Sequence, residues 1–331
     1  MAKPLIEPEN DLPGAATSAE SGAATSAESG AATSAEPGAA TSAEPSAAIS
    51  AESGEAASVE TSVATSAEPS AATSAEPPLI SCASVTLRYG RKKVLSKLSF
   101  DLQKFQILGL LGDSGCGKST AARMLTGLAK PSSGEVFLDG TSIYAHIRLS
   151  RRIINQKVQM IYQDSTNSFD PLKTIGTSLD IGQKRILNLN TAESRARSLA
   201  MLRRVGLDAK EAYYAKPGDL SGGECQRASI ARALLTEPKI LICDEATSNL
   251  DAGVAANIIN LLKELKEEYK MSILFISHDL VLATAFCDEI LIIKDGTILE
   301  RLPAKRIAET MKNPYTIQLF SDIIGKDSQR L

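Results

Sequence analysis

The sequence predicts an α/β protein with a mainly parallel core sheet, an antiparallel β subdomain and an inserted helical subdomain, and three observations carry that prediction. An apolar run, Ile107 to Leu111, leads into the glycine-rich stretch G-D-S-G-C-G-K-S-T at Gly112 to Thr120, and Ala121 to Leu125 continues it with helix-forming residues. Ile240 to Cys243 and Ile273 to Ile276 are continuously apolar, as strands buried on both faces of a parallel sheet are. Between Asp164 and Gly218 the pattern becomes helical. The stretch from Gly112 to Thr120 has the strand–loop–helix context and the G-x-x-x-x-G-K-S spacing of a phosphate-binding loop, so the class is a P-loop NTPase.

Taken in order, the chain begins with a segment of another kind. From Gly14 to Pro77 an octad of the type G-A-A-T-S-A-E-S or G-A-A-T-S-A-E-P recurs through eight degenerate copies. A period of eight drifts off the helical repeat of 3.6, and Gly or Pro interrupts almost every copy. The segment has no aromatic residue to bury, so residues 1–77 are expected to be a disordered, acidic, low-complexity extension. They hold twelve acidic residues and one lysine, Lys3, whereas the whole chain stands at −3; removing −11 leaves +8 for residues 78–331. The mild acidity belongs to the extension, and the globular part is basic.

Leu79 to Leu87 and Val94 to Leu102 alternate loosely around Tyr89-Gly90-Arg91-Lys92-Lys93 and read as antiparallel strands. After the loop helix, Pro131 to Gly134 turns into Glu135 to Leu138, and Asp139-Gly140 makes a hairpin. Val158 to Tyr162 is a short strand ending at Gln163. In the helical insertion, about residues 164–220, Thr191 is expected to cap a helix with Leu199, Leu202 and Val205 on one face, and Gly206 to close it. Asp219 to Arg227 opens a helix that runs to Leu235. Asp251 caps another, with Val254, Ile258, Leu261 and Leu265 on one face. Glu289 to Lys294 and Thr297 to Leu299 form a closing hairpin about Asp295-Gly296, so the domain spans 78–312 and residues 313–331 form a C-terminal tail.

The chemistry concentrates at strand ends. Gly112, Asp113, Ser114, Gly115, Cys116 and Gly117 form a loop whose glycines let backbone N–H groups converge on phosphate, reinforced by the helix N-terminus at Lys118, Ser119 and Thr120. Lys118 is expected to neutralise the β- and γ-phosphates, and the Ser119 hydroxyl is a candidate Mg²⁺ ligand. Cys116 either makes the loop sensitive to alkylation or fills space. Asp244 and Glu245 follow four apolar residues at a strand end, where open α/β sheets bind ligands; Asp244 is the candidate Mg²⁺ ligand and Glu245 the candidate base for the attacking water. Gln163 is placed to ligate Mg²⁺ or polarise that water, and His278 to reach the γ-phosphate. Tyr89 either stacks on adenine or packs on the core. The five cysteines are odd in number and scattered, with no C-x-x-C spacing, so neither a disulfide framework nor a zinc site is expected. No apolar run approaches the roughly 20 residues of a membrane span, and the N-terminus lacks a signal-like apolar stretch.

These motifs, in this order, resemble the nucleotide-binding subunit of ABC transporters over residues 79 to about 300. The resemblance rests on the P-loop, Gln163, L-S-G-G-E-C-Q-R at Leu220 to Arg227, I-C-D-E-A-T-S-N-L-D at Ile242 to Asp251, and His278. It implies ATP and Mg²⁺ as ligands and a head-to-tail dimer in which Ser221, Gly222 and Gly223 of one subunit face the γ-phosphate held by the other. Val158 to Gly176 and Asn313 to Phe320 are similar to the peptide and nickel importer ATPases. That likeness implies a second, non-identical ATPase chain, membrane permeases, an external substrate-binding protein, and a peripheral position on the cytoplasmic face of the membrane. The competing class is a soluble ABC ATPase acting on ribosomes or DNA, consistent with the +8 globular part. It is disfavoured by the absence of a second P-loop and by the short interval, about 100 residues, between P-loop and signature, which leaves little room for a coiled-coil arm, so nucleic acid is not an expected partner. A module that binds ATP without hydrolysing it conflicts with Glu245 and His278 both being present.

Overall fold

A computed structural model describes residues 77–144, 151–248 and 250–327; the octad-repeat segment, with the disorder expected of it, and Asn249 of the second motif lie outside them. Strands β1 (Ile80–Tyr89) and β2 (Lys92–Leu102) pair antiparallel, and β3 (Ile107–Leu111), buried at every position, runs into the P-loop and α1 (Lys118–Leu125). Next come β4 (Ser133–Leu138), β5 (Thr141–Ser142), α2 (Arg151–Lys157) and β6 (Val158–Ile161). The insertion holds α3 (Ile175–Leu187), α4 (Thr191–Arg204) and α5 (Ala209–Tyr214), and α6 (Gly222–Leu234) returns the chain to the core. There follow β7 (Ile240–Asp244), α7 (Ala252–Tyr269), β8 (Ser272–Ser277), α8 (Leu280–Phe286), β9 (Glu289–Lys294), β10 (Thr297–Pro303), α9 (Ile307–Thr310) and α10 (Pro314–Asp327).

Two sheets result. The six-stranded sheet has the order β10-β9-β3-β8-β7-β6, parallel except for its β10 edge. The four-stranded sheet, β2-β1-β4-β5, is antiparallel. The architecture is therefore the one the sequence predicts. Strand burial follows the same logic: β3, β7 and β8 are buried throughout, whereas β1 and β2 alternate because only one face of their sheet is covered. No helix among the described residues is long and apolar enough to cross a membrane. All five cysteines are free and buried.

The helical insertion is held by polar as well as apolar contacts. Asp180 of α3, 6% exposed, accepts hydrogen bonds from Ser198 of α4 and Tyr213 of α5, each at 2.7 Å. Gly176 lets the Tyr213 ring lie flush on α3, since a Cβ there would stand 2.5 Å from it. One local expectation is corrected. The cap of α4 is Asn190, not Thr191: Asn190 is extended, its Oδ1 accepts the Glu193 amide at 2.9 Å, and the Glu193 carboxylate accepts the Asn190 amide in return. That reciprocal pair satisfies two backbone donors where a threonine hydroxyl at the next position satisfies neither.

Candidate nucleotide site

The P-loop is shaped by close backbone approach. A Cβ on Gly112 would lie 2.1 Å from the Ile293 carbonyl oxygen, and one on Gly117 would lie 2.8 Å from a Leu95 methyl. Gly117 takes φ +112° at the start of α1 and contributes no side-chain cap, so the first amides of that helix face the loop. Oriented amides and the helix dipole make this an anion site. Lys118 is 4% exposed, and its Nζ donates to the carbonyls of Gly112 at 2.8 Å and Asp113 at 2.9 Å, curling the loop around the ammonium. Burial pushes the Cys116 thiol up, with Lys118 partly opposing it. That suppresses the thiolate that alkylation requires and favours the space-filling reading of this residue.

The carboxylates arrive from neighbouring strands. Asp244 ends β7, and its Oδ1 accepts the Ser119 hydroxyl at 3.0 Å. Burial, and secondarily the charge of Glu245, raise the Asp244 pKa, a state that a bound cation would reverse. Glu245 sits just past the strand at φ +50°, a costly conformation for a residue with a Cβ. Its amide is pinned to the Ile276 carbonyl at 2.9 Å. Two side chains converge on its Oε2: Gln163 donates through Nε2 at 3.0 Å, and His278 Nδ1 stands 3.4 Å away. A cleft of about 300 Å³ is lined by Ser114, Gly115, Lys118 and Ser119 on the loop side and by Gln163 and Glu245 opposite. All of these lie at the carboxyl edge of the parallel strands, where the fold class binds ligands.

Not every candidate meets in that cleft. Tyr89 is 51% exposed at the end of β1, paired with Lys92, and does not line the cleft. Ser221, Gly222 and Gly223 also stand outside it. Ser221 caps α6 in a capping box: its hydroxyl accepts the Glu224 amide at 3.3 Å, and the Glu224 carboxylate accepts the Ser221 amide at 2.9 Å and hydroxyl at 2.7 Å. Those bonds hold the Glu224 carboxyl below its ordinary range. Gly223 closes against Val254 of α7, where a Cβ would stand 3.0 Å from a methyl. Sequence reasoning missed Val94, which lines the cleft from the start of β2; an alternating strand gives no signal that one of its residues will face a loop formed elsewhere.

Three comparisons bear on this geometry. The family model described as ABC transporter matches residues 95–248. The nickel import ATP-binding protein NikE of Escherichia coli O6:K15:H31 is 40% identical over 213 residues, covering 64% of this chain and 79% of that protein. Among solved structures, the dimeric ATP-binding cassette MJ0796 bound to ADP and Pi aligns at TM-score 0.62 and 28% identity, covering 68% of this chain and 98% of that one. cbiO1 of Clostridium perfringens, part of the ABC transporter complex cbiONQ, aligns at TM-score 0.64, covering 76% of this chain and 99% of that one; at 24% identity it bears on the fold alone.

Proposed function

The chain belongs to the ABC transporter family of ATP-hydrolysing subunits, and we propose that it is the motor subunit of an importer for nickel or small peptides, working with membrane permeases and a second, non-identical ATPase chain. The observation that carries this reading is the division of the site. The P-loop, Asp244, Glu245, Gln163 and His278 gather at one sheet edge, while the Ser221-Gly222-Gly223 helix start lies outside that cleft. A helix N-terminus with two glycines is a second phosphate-binding surface, and a head-to-tail partner brings phosphate to it. The dimeric state of the MJ0796 cassette and the import role in the name of NikE support the reading. The +8 globular part does not by itself call for nucleic acid.

In this mechanism the P-loop amides and Lys118 hold the triphosphate. Ser119 and Asp244, 3.0 Å apart through their oxygens, are hard donors of the kind Mg²⁺ takes. A cation that keeps waters and phosphate oxygens in its shell needs only one or two protein ligands, so this pair fits it, and the metal when bound neutralises charge on the β- and γ-phosphates. Gln163 is the third candidate ligand; its amide donates to Glu245 at 3.0 Å. Glu245 accepts a proton from the attacking water as the new O–P bond forms and the β,γ-bridging bond breaks. Gln163 and His278 fix the carboxylate through its Oε2, leaving its orientation set before substrate arrives. The insertion α3 to α5, joined to the site through the Gln163 strand end, is the element that couples hydrolysis to the permease. Arg232 of α6 ties this junction down, donating to the Ser168 carbonyl at 2.6 Å beneath the Phe169 ring.

The test is purification of the full chain from gently solubilised membranes, with mass spectrometry of the proteins that accompany it. A second ATPase and two permeases are expected. Recovery in the soluble fraction with ribosomes or nucleic acid would overturn the transporter assignment, and recovery of only identical ATPase chains with permeases would overturn the non-identical partner.

A further inference from the structure

The start of α10, the segment distinguished in the sequence by N-P-Y-T-I-Q-L-F, is built against the back of the P-loop. Tyr315 accepts the backbone N–H of Asp113 through its hydroxyl at 3.2 Å, across 202 residues of chain. The contact belongs to a wall. Lys294, the last residue of β9, lies with its ammonium 4.3 Å from the Tyr315 ring centre, and the preceding Ile293 carbonyl is the atom against which Gly112 closes. Gly296 donates to the Cys116 carbonyl at 2.9 Å and accepts the Ser96 amide at 2.9 Å. Residues 112–116 are thus backed by 293–296 and by Tyr315.

Tyr315 itself is firmly seated. Glu300 Oε1 accepts the amides of Lys312 and Asn313, both at 2.9 Å, and the Asn313 side chain accepts the Tyr315 amide at 2.9 Å. One and five residues further on, Thr316 and Phe320 are buried, Phe320 in the same core as β3 and β8. Burial and the neighbouring Asp113 carboxylate push the Tyr315 hydroxyl up to about 12, so at neutral pH it is an un-ionised hydroxyl.

The Gly112–Asp113 peptide is held from both sides. Its carbonyl, that of Gly112, accepts Lys118 Nζ at 2.8 Å, and its N–H, that of Asp113, is held by Tyr315 at 3.2 Å. When a triphosphate draws the ammonium, the inner grip weakens, and the outer one keeps the peptide from turning. We propose that Tyr315 is a positioning residue of the P-loop, and that α10 is a brace through which the C-terminal segment sets the affinity for ATP. The proposal rests on the nucleotide-site reading above.

The test uses the full chain, with ATP as the probe in calorimetric titration and KM and kcat from steady-state turnover. Tyr315→Phe keeps the ring and its contact with Lys294 and deletes only the hydroxyl. One neutral hydrogen bond corresponds to about a two- to ten-fold change in an equilibrium constant. ATP binding and KM are expected to weaken by that factor, with kcat at saturating ATP and the thermal midpoint unchanged. Phe320→Ala, which loosens the helix and keeps the hydroxyl, should weaken ATP binding as well as lower the midpoint. Unaltered ATP affinity in Tyr315→Phe, or a lowered midpoint in Phe320→Ala with unaltered affinity, would overturn the proposal. Lys118→Ala separates this from failure of the site itself: if that variant binds ATP as well as the unaltered chain, the nucleotide-site reading falls first.

Discussion

Replacing Glu245 by Gln is the most informative perturbation of the catalytic edge. Two side chains reach one oxygen of the carboxylate, Gln163 donating through Nε2 at 3.0 Å and His278 Nδ1 standing 3.4 Å away. An amide of the same shape presents its oxygen to them and its NH2 to the cleft, so Gln163 keeps its acceptor and His278 its neighbour. The φ of +50° at this position strains Gln no more than Glu, because both carry a Cβ. Folding and ATP binding should therefore be unchanged. What disappears is the ability to accept a proton, and a positioned general base contributes on the order of 10²- to 10⁴-fold. The expected loss in kcat is thus about 3 to 5 kcal/mol of barrier. Phosphate release under saturating ATP, measured beside ATP binding on the same preparation, reads both quantities. A loss of less than about ten-fold, too small for a base, would refute the assignment of Glu245, and a parallel loss of binding would refute the claim that the amide preserves the geometry.

Three further outcomes are expected. Gly176→Ala forces a methyl to within 2.5 Å of the Tyr213 ring and should destabilise by about 1 to 3 kcal/mol through overpacking, read as a lowered urea midpoint; a midpoint unchanged from the parent would show that the α3–α5 contact yields freely. Asp251→Ala removes the side chain that accepts the Val254 amide at 3.0 Å at the head of α7 and should cost about 1 kcal/mol, measured by the same denaturation. Ser221→Ala should leave ATP binding by the isolated chain intact, because Ser221 does not line the P-loop cleft, while lowering turnover in the assembled dimer; lost binding in the isolated chain would place the signature serine at its own chain's nucleotide.

The signature region carries a detail that bears on assembly. With glutamate at position 224, the Ser221 hydroxyl gives its proton to a carboxylate at 2.7 Å. The hydroxyl is therefore already engaged before any phosphate approaches, and the backbone amides of the helix start are the donors that remain at this surface. In the dimer proposed above, those amides would face the phosphate with the serine proton already given to Glu224.

Much of the site was legible in the sequence, and the reason is locality. A phosphate loop needs glycines where backbone must approach backbone, a lysine at the helix start and a hydroxyl beside it; those demands fall on consecutive residues, so Gly112 to Thr120 can be read directly. The same holds for Asp244 and Glu245, delivered by four apolar residues, and for the cap at Asp251. Even the Thr191 cap was displaced by one residue only, because two adjacent side chains competed for the same amides and the reciprocal pair with Glu193 won. What the sequence alone determined is the class of fold, the kind of ligand and the basic character of the globular part, all of which follow from short-range spacing and composition. Tertiary structure decided the rest. The order β10-β9-β3-β8-β7-β6 places β3 between strands far along the chain, and only that order brings Gln163 and His278 to one oxygen of Glu245. The grip of Tyr315 on Asp113 and the seating of Gly176 under Tyr213 likewise join distant segments. Periodicity shows that a residue is buried or exposed, but which surface it meets depends on how the packed strands and helices are stacked, and that is fixed by the fit of the whole core.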